Sequence, residues 1–340
     1  MKKLQILIPH YKEDFSVMKP LLDSINIQQN VNLKDDIGVI ITNDGDEGVL
    51  DQSLFANYDF EIQYYVAPHR GVSATRNYCL DKATADYVMF CDCDDMFCNV
   101  CGLWVILREM ETVDQITKIK GFDGLVSVFM EENIDPTTKQ HFFLNRGDAA
   151  HGGIDVTFVH GKVYRRQYLL DNNIRWNDSL TIHEDSYFNC LCQTLSTNIK
   201  YCPTPFYLWK WRDESVCRHD PKYILKTYNN MLDSSTALIE QFIRRNRIND
   251  AQLRATSMIY DAYFTMNKDE WINQENKEYR DKTEKRFKVF YETFSYLMDA
   301  INPQVKAQII MGIKNRFFQE GLLMESITFD EWIKHIKNLD

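Results

Sequence analysis

Short apolar runs alternate with helical patterns through the first 91 residues of the chain. The runs are rich in β-branched and aromatic residues, whereas the segments between them space their apolar residues three and four positions apart. This alternation indicates a mostly parallel sheet with helices on its faces, as in nucleotide-binding α/β lobes. The predicted strands are LQILI (4–8), IGVIIT (37–42), EIQYYV (61–66) and DYVMFC (86–91), and the predicted helices run through Leu21, Leu22 and Ile25 and through VSATRNYCLDKA (72–83).

Acidic residues directly follow two of these strands. One cluster is Asn43 to Asp46 and the other is Asp92 to Asp95. Because ligands bind beyond the carboxyl ends of parallel strands, we expect both clusters to open onto one crevice. Crowded carboxylates repel one another, and a hard divalent cation would relieve that repulsion. Mg²⁺ and Mn²⁺ prefer oxygen ligands and often bind carboxylates together with substrate phosphates, so the second cluster predicts a metal-diphosphate site.

Four cysteines lie within and after the second cluster, at Cys91, Cys93, Cys98 and Cys101. Only the last pair has a spacing common among zinc ligands, so a structural zinc site is the alternative to the carboxylate site. We favour buried thiols, because free cysteine commonly packs as a small apolar side chain. The nine cysteines are an odd number, and 340 residues with 44% hydrophobic content build a core that needs no disulfides.

The charge and hydropathy of the chain bear on its binding partners and its location in the cell. A net charge of −10 argues against wholesale nucleic-acid binding. The apolar run after the basic start, LQILI, is shorter than the ~7–15 residues of a signal-peptide core, and no stretch approaches the ~18–20 apolar residues that span a bilayer. We therefore predict a cytoplasmic protein, either free or peripheral at the membrane surface.

Strand-like runs become rare after about residue 220, and helical patterns replace them. The clearest pattern keeps seven apolar residues on one helix face, which is typical of a side packed against a core. These residues are Phe287, Phe290, Tyr291, Phe294, Leu297, Met298 and Ile301. We predict a helical C-terminal region that packs on the α/β lobe or forms an oligomer surface.

Six segments, in order, resemble motifs of family 2 glycosyltransferases over residues 4 to about 218. They are LQILIPHYKED, ITNDGDEGV, HRGVSATRN, ADYVMFCDCDD, HGKVYRRQYLLDNNIRWNDSLTIHEDSYF and FYLWKWRDESV. The resemblance implies a GT-A fold, with a Rossmann-like, mostly parallel sheet and flanking helices. It also implies a nucleotide-sugar-binding half at 1–98 and an acceptor-binding half at 99–219, followed by the helical region at 220–340.

The resemblance implies a donor site built from named residues. Asp92 and Asp94 form the D-x-D motif that binds Mn²⁺ or Mg²⁺, and Asp95 shapes the turn or approaches the sugar. The nucleotide-binding residues would be Pro9, Tyr11, Asp44, Arg76, Asp92, Arg212 and Ser215. Asp44 would accept a hydrogen bond from the base, and the Arg212–Ser215 segment would close over the diphosphate. His219 follows that segment and is a candidate third metal ligand, because imidazole suits Mn²⁺.

Two positions depart from the family pattern. Asn43 replaces the first acid of the usual pair, and His69-Arg70 stands where Asn and Gly are common. Within the last of the six segments, Tyr207, Trp209 and Trp211 alternate, so they would share one face of a strand. That face would be core packing or a platform on which a sugar stacks.

Asp185 matches the family's catalytic aspartate and is the predicted general base. Taken alone, Glu184 and Asp185 would also suit acids that complement the dipole at the start of a helix. His183 is the alternative base, because an unperturbed imidazole titrates near neutral pH. A base on the side opposite the leaving group implies in-line displacement with inversion.

We therefore predict an inverting glycosyltransferase that uses a nucleotide-sugar donor, with a UDP-sugar as the first choice. A nucleotidyltransferase is the second enzyme class, but PHYKEDF lacks the Gly-rich basic loop that such enzymes carry after the first strand. A non-catalytic sugar-nucleotide-binding protein would not need Asp44, Asp92, Asp94 and Asp185 together. The acceptor would be a glycan, a lipid-linked or another hydroxyl, and a modified nucleic-acid base is less favoured.

Overall fold

The computed structural model describes residues 1–115, 118–147, 157–213, 220, 222–319 and 327–339. The chain divides into two compact units, Met1–Asp213 and Glu214–Asp340. The first unit is an α/β layer structure and the second is helical, as the change of pattern after about residue 220 predicted.

The first unit begins with four parallel strands, in the spatial order β3, β2, β1, β4. They are β1 (Leu4–His10), β2 (Ile37–Asp44), β3 (Glu61–Ala67) and β4 (Tyr87–Phe90). The helices between them are α1 (Phe15–Asn26), α2 (Leu33–Asp36) and α3 (Val72–Lys82), with a 3-10 turn at Gln52–Phe55. These elements confirm each strand and helix predicted over this part of the chain.

Five further strands extend the sheet beyond β4 and give it mixed directions. They are β5 (Met96–Phe97), β6 (Gly124–Ile134), β7 (His141–Arg146), β8 (Lys162–Arg165) and β9 (Ile199–Trp209), with helices α4 (Gly102–Glu111), α5 (Arg166–Asp171) and α6 (Glu184–Leu195). Strand β8 pairs antiparallel with β4, and the order continues through β6 and β9 to β5, while β7 pairs with β6. The described strands of this unit therefore form one continuous sheet.

The core of the first unit lies on both faces of this sheet. All eight residues of β2 are buried, as expected for a central parallel strand. On one face, α1 buries an apolar side formed by Met18, Leu21, Leu22 and Ile25. On the other face, Phe188 of α6 stacks on Trp176 with ring centroids 4.1 Å apart and also contacts the rings of Phe90 and Tyr164. This aromatic cluster holds the start of α6 close to the end of β4.

The second unit consists of helices α7 (Tyr223–Arg244), α8 (Ile248–Met266), α9 (Asp269–Ile272), α10 (Lys277–Ala300), α11 (Pro303–Gln319) and α12 (Phe329–Lys337), with a 3-10 turn at Gln274–Asn276. Helix α10 packs on α7 and α8. The predicted apolar face is confirmed, because six of its residues are buried on α10 and Ile301 is buried just beyond the helix. No helix in the described residues is long and apolar enough to cross a membrane.

We expect Phe188→Ala to destabilise the first unit by about 3–5 kcal/mol, because it removes a fully buried ring from the aromatic cluster and leaves a cavity. Urea unfolding monitored by tryptophan fluorescence measures the change. Phe188→Leu is the matched control and should cost less, since it fills most of the space. Equal stability of the Ala variant and the parent would contradict the packing role of this ring.

Candidate active site

A cavity of ≈ 380 Å³ opens at the carboxyl ends of the first strands. The predicted site residues that line it are Pro9, Tyr11, Asp44, Arg76, Asp92, Asp94 and Arg212. Both acidic clusters therefore contribute to one crevice, as the order of the strands predicted. Ser215 and His219 lie outside the described residues.

The side chain of Arg76 lies at the floor of this site and is only 3% exposed. Its Nη2 donates to Asp92 Oδ1 at 2.8 Å, and its Nη1 donates to Asp185 Oδ1 at 2.8 Å and to Glu184 Oε1 at 3.1 Å. The guanidinium also lies 4.4 Å from the ring centroid of Trp176. One cation from α3 thus joins the D-x-D carboxylate after β4 to both acids at the start of α6.

These three carboxylates determine the protonation of Arg76. Burial opposes its charge, but the negative charges of Asp185, Asp92 and Glu184 outweigh burial and hold the pKa of Arg76 above its usual range. The guanidinium is therefore a permanent positive charge. With three acids around one cation, the site keeps a net negative charge.

Asp185 is the second residue of α6, which begins at Glu184. Its Oδ1 accepts from Arg76 and its Oδ2 accepts from the Val159 backbone N–H at 3.1 Å, so the carboxylate is held from both sides. The pKa of Asp185 is raised to about 7, because burial, helped by the charges of Glu184 and Asp92, outweighs the opposing effect of Arg76. The helix N-terminus alone would favour the anion, so burial and neighbouring acids prevail here.

His183 precedes α6 in a left-handed conformation, with φ at 63°. Its carbonyl accepts the Tyr187 backbone N–H at 3.2 Å, which closes the first turn of the helix. The catalytic roles predicted for Asp185 and His183 stay predictions, but the contacts described above connect Asp185 to the D-x-D segment through Arg76.

The D-x-D segment forms a tight turn in which its acids have different surroundings. Asp95 is 1% exposed, accepts a hydrogen bond from the Tyr207 hydroxyl, and accepts the Lys210 backbone N–H at 3.0 Å. Burial, together with the charges of Asp94 and Asp92, raises the pKa of Asp95 well above its usual range. The position of Asp95 agrees with the turn-shaping role rather than with direct approach to a sugar.

Asp92 and Asp94 keep carboxylate oxygens available at the cavity. Their side chains are 33% and 28% exposed. One oxygen of Asp92 accepts from Arg76 and one oxygen of Asp94 accepts from Arg212 Nη1 at 2.8 Å, while the other oxygen of each has no hydrogen-bond partner among the described residues. This donor set fits a hard divalent cation such as Mg²⁺ or Mn²⁺.

A second group of ligand atoms lies deeper. Within the described part of the chain, atoms of Asp92, Asp95 and His160 lie within 4.8 Å of one another, a group that does not include Asp94. His160 Nδ1 is 3.7 Å from Asp95 Oδ2, and the ring stacks between aromatic side chains, among them Tyr207 and Trp209. Asp95 already accepts hydrogen bonds from Tyr207 and Lys210, so its carboxylate stabilises the turn. Asp92 and Asp94 are the more accessible pair of carboxylates.

The aromatic residues of β9 turn out to pack inward. Tyr207 is fully buried, and Trp209 packs on Phe158 and His160, so these two belong to the core. Trp211 lies beyond the end of the strand, where its backbone N–H donates to Glu132. The idea that all three form one sugar platform on a single strand face does not match this arrangement.

Sequence reasoning gave no site role to His160 or Trp176, and gave Glu184 only a helix-dipole role. His160 and Trp176 both stand inside the motif segment that begins HGKVYRR, and Glu184 is the neighbour of Asp185. Their contacts with the D-x-D turn and Arg76 join residues far apart in sequence. These residues are part of the recognised motif segment, but only the fold shows which side chains they contact.

The N-terminal part of the chain matches a known family. Residues 5–98 match the family described as Glycosyl transferase family 2. Over these residues the chain is similar to family 2 glycosyltransferases. This match confirms the resemblance that the ordered motifs indicated.

Two curated relatives agree with this assignment. Glycosyltransferase GlyA of Streptococcus pneumoniae is 21% identical over 367 residues, which cover 98% of this chain and 49% of that protein. The succinoglycan biosynthesis protein ExoM of Rhizobium meliloti is 31% identical over 93 residues, which cover 27% of this chain and 28% of that protein. The chain thus spans about half the length of the first relative and less of the second.

Solved structures show the same fold. The crystal structure of S. aureus TarS has a TM-score of 0.61 and 14% identity, and the match covers 90% of this chain and 50% of TarS. TarS 1–349 has a TM-score of 0.60 at 14% identity, over 96% of this chain and 93% of that one. The chain therefore has the predicted GT-A fold, a mixed sheet with flanking helices, followed by helices.

Proposed function

We propose that this chain transfers a sugar from a nucleotide-diphosphate sugar to an acceptor hydroxyl, with inversion at the anomeric carbon. The observation that carries the proposal is the position of Arg76, which donates both to Asp92 of the D-x-D motif and to Asp185. Arg76 and Asp92 line the cavity, and Asp185 is connected to it through its hydrogen bond with Arg76. TarS 1–349, whose fold this chain shares at a TM-score of 0.54 and 14% identity, has been solved in complex with UDP, which supports a UDP-sugar as the donor to test first.

The metal-binding part of the proposal rests on Asp92 and Asp94. These side chains would hold Mn²⁺ or Mg²⁺, and Arg212 lies beside Asp94 as an additional positive charge. Such a cation supplies Lewis-acid stabilisation of the charge that develops on a diphosphate leaving group. Arg76 holds one oxygen of Asp92 and so fixes its carboxylate at the cavity.

The proton transfer is proposed for Asp185. The bond between the acceptor oxygen and the anomeric carbon forms while the bond from that carbon to the diphosphate oxygen breaks, and the hydroxyl proton passes to the Asp185 carboxylate. A pKa of about 7 suits this task, because a general base works best when its pKa lies near the operating pH. Displacement from the face opposite the diphosphate gives inversion.

The setting of the reaction is also a proposal. The eight cysteines within the described residues are free thiols, which fits a reducing compartment such as the cytoplasm. We propose a glycan or lipid-linked hydroxyl as the acceptor. Residues 1–98 would bind the donor in such a reaction, and the acceptor has to be found by a separate screen.

We expect the chain to release nucleotide from UDP- or GDP-sugars in the presence of Mn²⁺, and Asp94→Ala to lower both metal-dependent donor binding and release by about 10²-fold or more. Asp86→Ala is the control, because Asp86 is exposed and precedes the same strand at its other end. Calorimetry and a coupled nucleotide-release assay measure the two effects. If Asp94→Ala binds the donor with the parent's metal-dependent affinity, Asp94 is not a metal ligand. If the parent releases nucleotide from none of these sugars, the proposed function is wrong.

The rate of sugar transfer should rise with pH through about 7, because only the ionised form of Asp185 accepts a proton and burial raises its pKa to that value. Asp185→Asn should lose the rise and about 10²-fold or more in rate, while donor affinity stays nearly unchanged. His183→Gln is the comparison variant, with a smaller expected effect. Single-turnover rates at saturating donor decide between them: near-normal transfer by Asp185→Asn with a collapse in His183→Gln would assign the base to the histidine.

A further inference from the structure

The ring of His69 lies at the mouth of the same cavity, just after β3. It stacks on Tyr11 with ring centroids 4.7 Å apart and planes 15° apart, and both residues line the cavity. The loop after β2 packs against it: Gly45 has φ at +110°, and a Cβ atom at that position would lie 3.1 Å from the His69 Cβ. Tyr11 and Gly45 therefore set the plane and the position of the imidazole.

The hydrogen bonds of His69 determine which ring nitrogen carries its proton. Nδ1 lies 2.9 Å from Asp44 Oδ2 and 3.1 Å from the Asp44 backbone oxygen. Both atoms accept hydrogen bonds, so Nδ1 must donate. In the neutral ring Nε2 is then an acceptor, and it has no hydrogen-bond partner among the described residues, while the side chain is 58% exposed.

The carboxylate of Asp44 is occupied by the turn that carries this histidine. Oδ1 accepts the Arg70 backbone N–H at 2.8 Å, and Oδ2 accepts the Gly71 backbone N–H at 2.9 Å in addition to His69. Asp44 itself is 4% exposed. The group that Asp44 presents to the cavity is therefore the imidazole that it orients, rather than a free carboxylate edge.

We propose that His69 is a specificity-determining residue for the nucleobase of the donor, and that its Nε2 accepts a hydrogen bond from a ring N–H of the base. Uracil and guanine have such an N–H on the edge that they use in base pairing, whereas cytosine and adenine have a ring nitrogen that is itself an acceptor there. The site therefore selects uracil- or guanine-type bases. This inference rests on the proposed function, since it assigns the base contact of the same donor site.

Three nucleotides test the hydrogen bond to His69 Nε2: UDP, CDP and UDP methylated at N3. The methylated UDP lacks only the N–H that would donate. Calorimetry with Mn²⁺ present should show that the parent chain binds UDP about 10- to 100-fold more tightly than the other two nucleotides. N3-methyl-UDP loses the hydrogen bond, and CDP places a second acceptor opposite Nε2. His69→Ala should weaken UDP binding and bring the three affinities to similar values. Tyr11→Phe is the control, because it keeps the ring that stacks on the imidazole and should keep the order of the three affinities.

Each outcome decides the proposal. His69→Ala is expected to fold, since the side chain is more than half exposed, and an unchanged melting temperature checks this. Full discrimination between UDP and N3-methyl-UDP in His69→Ala would show that Asp44 contacts the base directly, and tighter binding of CDP than of UDP by the parent would show that Nε2 donates. Either result overturns the role of His69 while sugar transfer continues, whereas absence of both nucleotide binding and transfer in the parent would overturn the proposed function as well.

Discussion

The buried guanidinium of Arg76 is the interaction on which the site depends. It donates to carboxylates that follow β4 and begin α6, and it lies over the ring of Trp176. Glu184 and Asp185 are 13% and 20% exposed, and a carboxylate that loses its hydration needs a cation or hydrogen bonds in place of water, which Arg76 supplies. Because one positive charge serves three negative ones, the site remains electronegative. Burial and this excess of negative charge raise the pKa of Asp185, and a divalent cation at the D-x-D motif would relieve the excess.

A second set of contacts connects the other side of the D-x-D turn to β9. The Tyr207 hydroxyl donates to Asp95 and accepts the Asp92 backbone N–H, and the Lys210 backbone N–H also donates to Asp95. Arg212 follows two residues later and reaches Asp94. The end of β9 is thus attached to the turn after β4, and this attachment brings a cation to the accessible carboxylate. Arg76 and Tyr207 together hold the turn from both sides.

Much of this architecture could be predicted from local sequence. The strands of the first half follow from buried, β-branched runs, and α10 follows from an apolar face whose period is that of a helix. The placement of both acidic clusters at one crevice followed from the rule for parallel strands. These features depend on the spacing of residues that are close in sequence, so they can be recognised from the sequence alone.

The contacts that give the site its chemistry could not be predicted in the same way. Arg76 was expected near the nucleotide, but its bonds to Glu184 and Asp185 span 108 and 109 residues. The raised pKa of Asp185 depends on burial among those residues, whereas the local helix position alone suggested the opposite direction. The orientation of His69 by Asp44 and the inward packing of Tyr207 likewise depend on tertiary contacts between distant loops and strands.

The dependence of Asp185 on Arg76 can be measured through the pH dependence of single-turnover transfer in Arg76→Gln and in the charge-conserving variant Arg76→Lys. Arg76 lowers the pKa of Asp185, so its neutral replacement should move the rise in rate about 1–3 pH units upward from the parent's value, while Arg76→Lys stays closer to the parent. Circular dichroism before each assay establishes that the variants are folded. A folded Arg76→Gln variant whose rate rises at the same pH as the parent would contradict the account, because Asp185 would then titrate independently of the charge placed beside it.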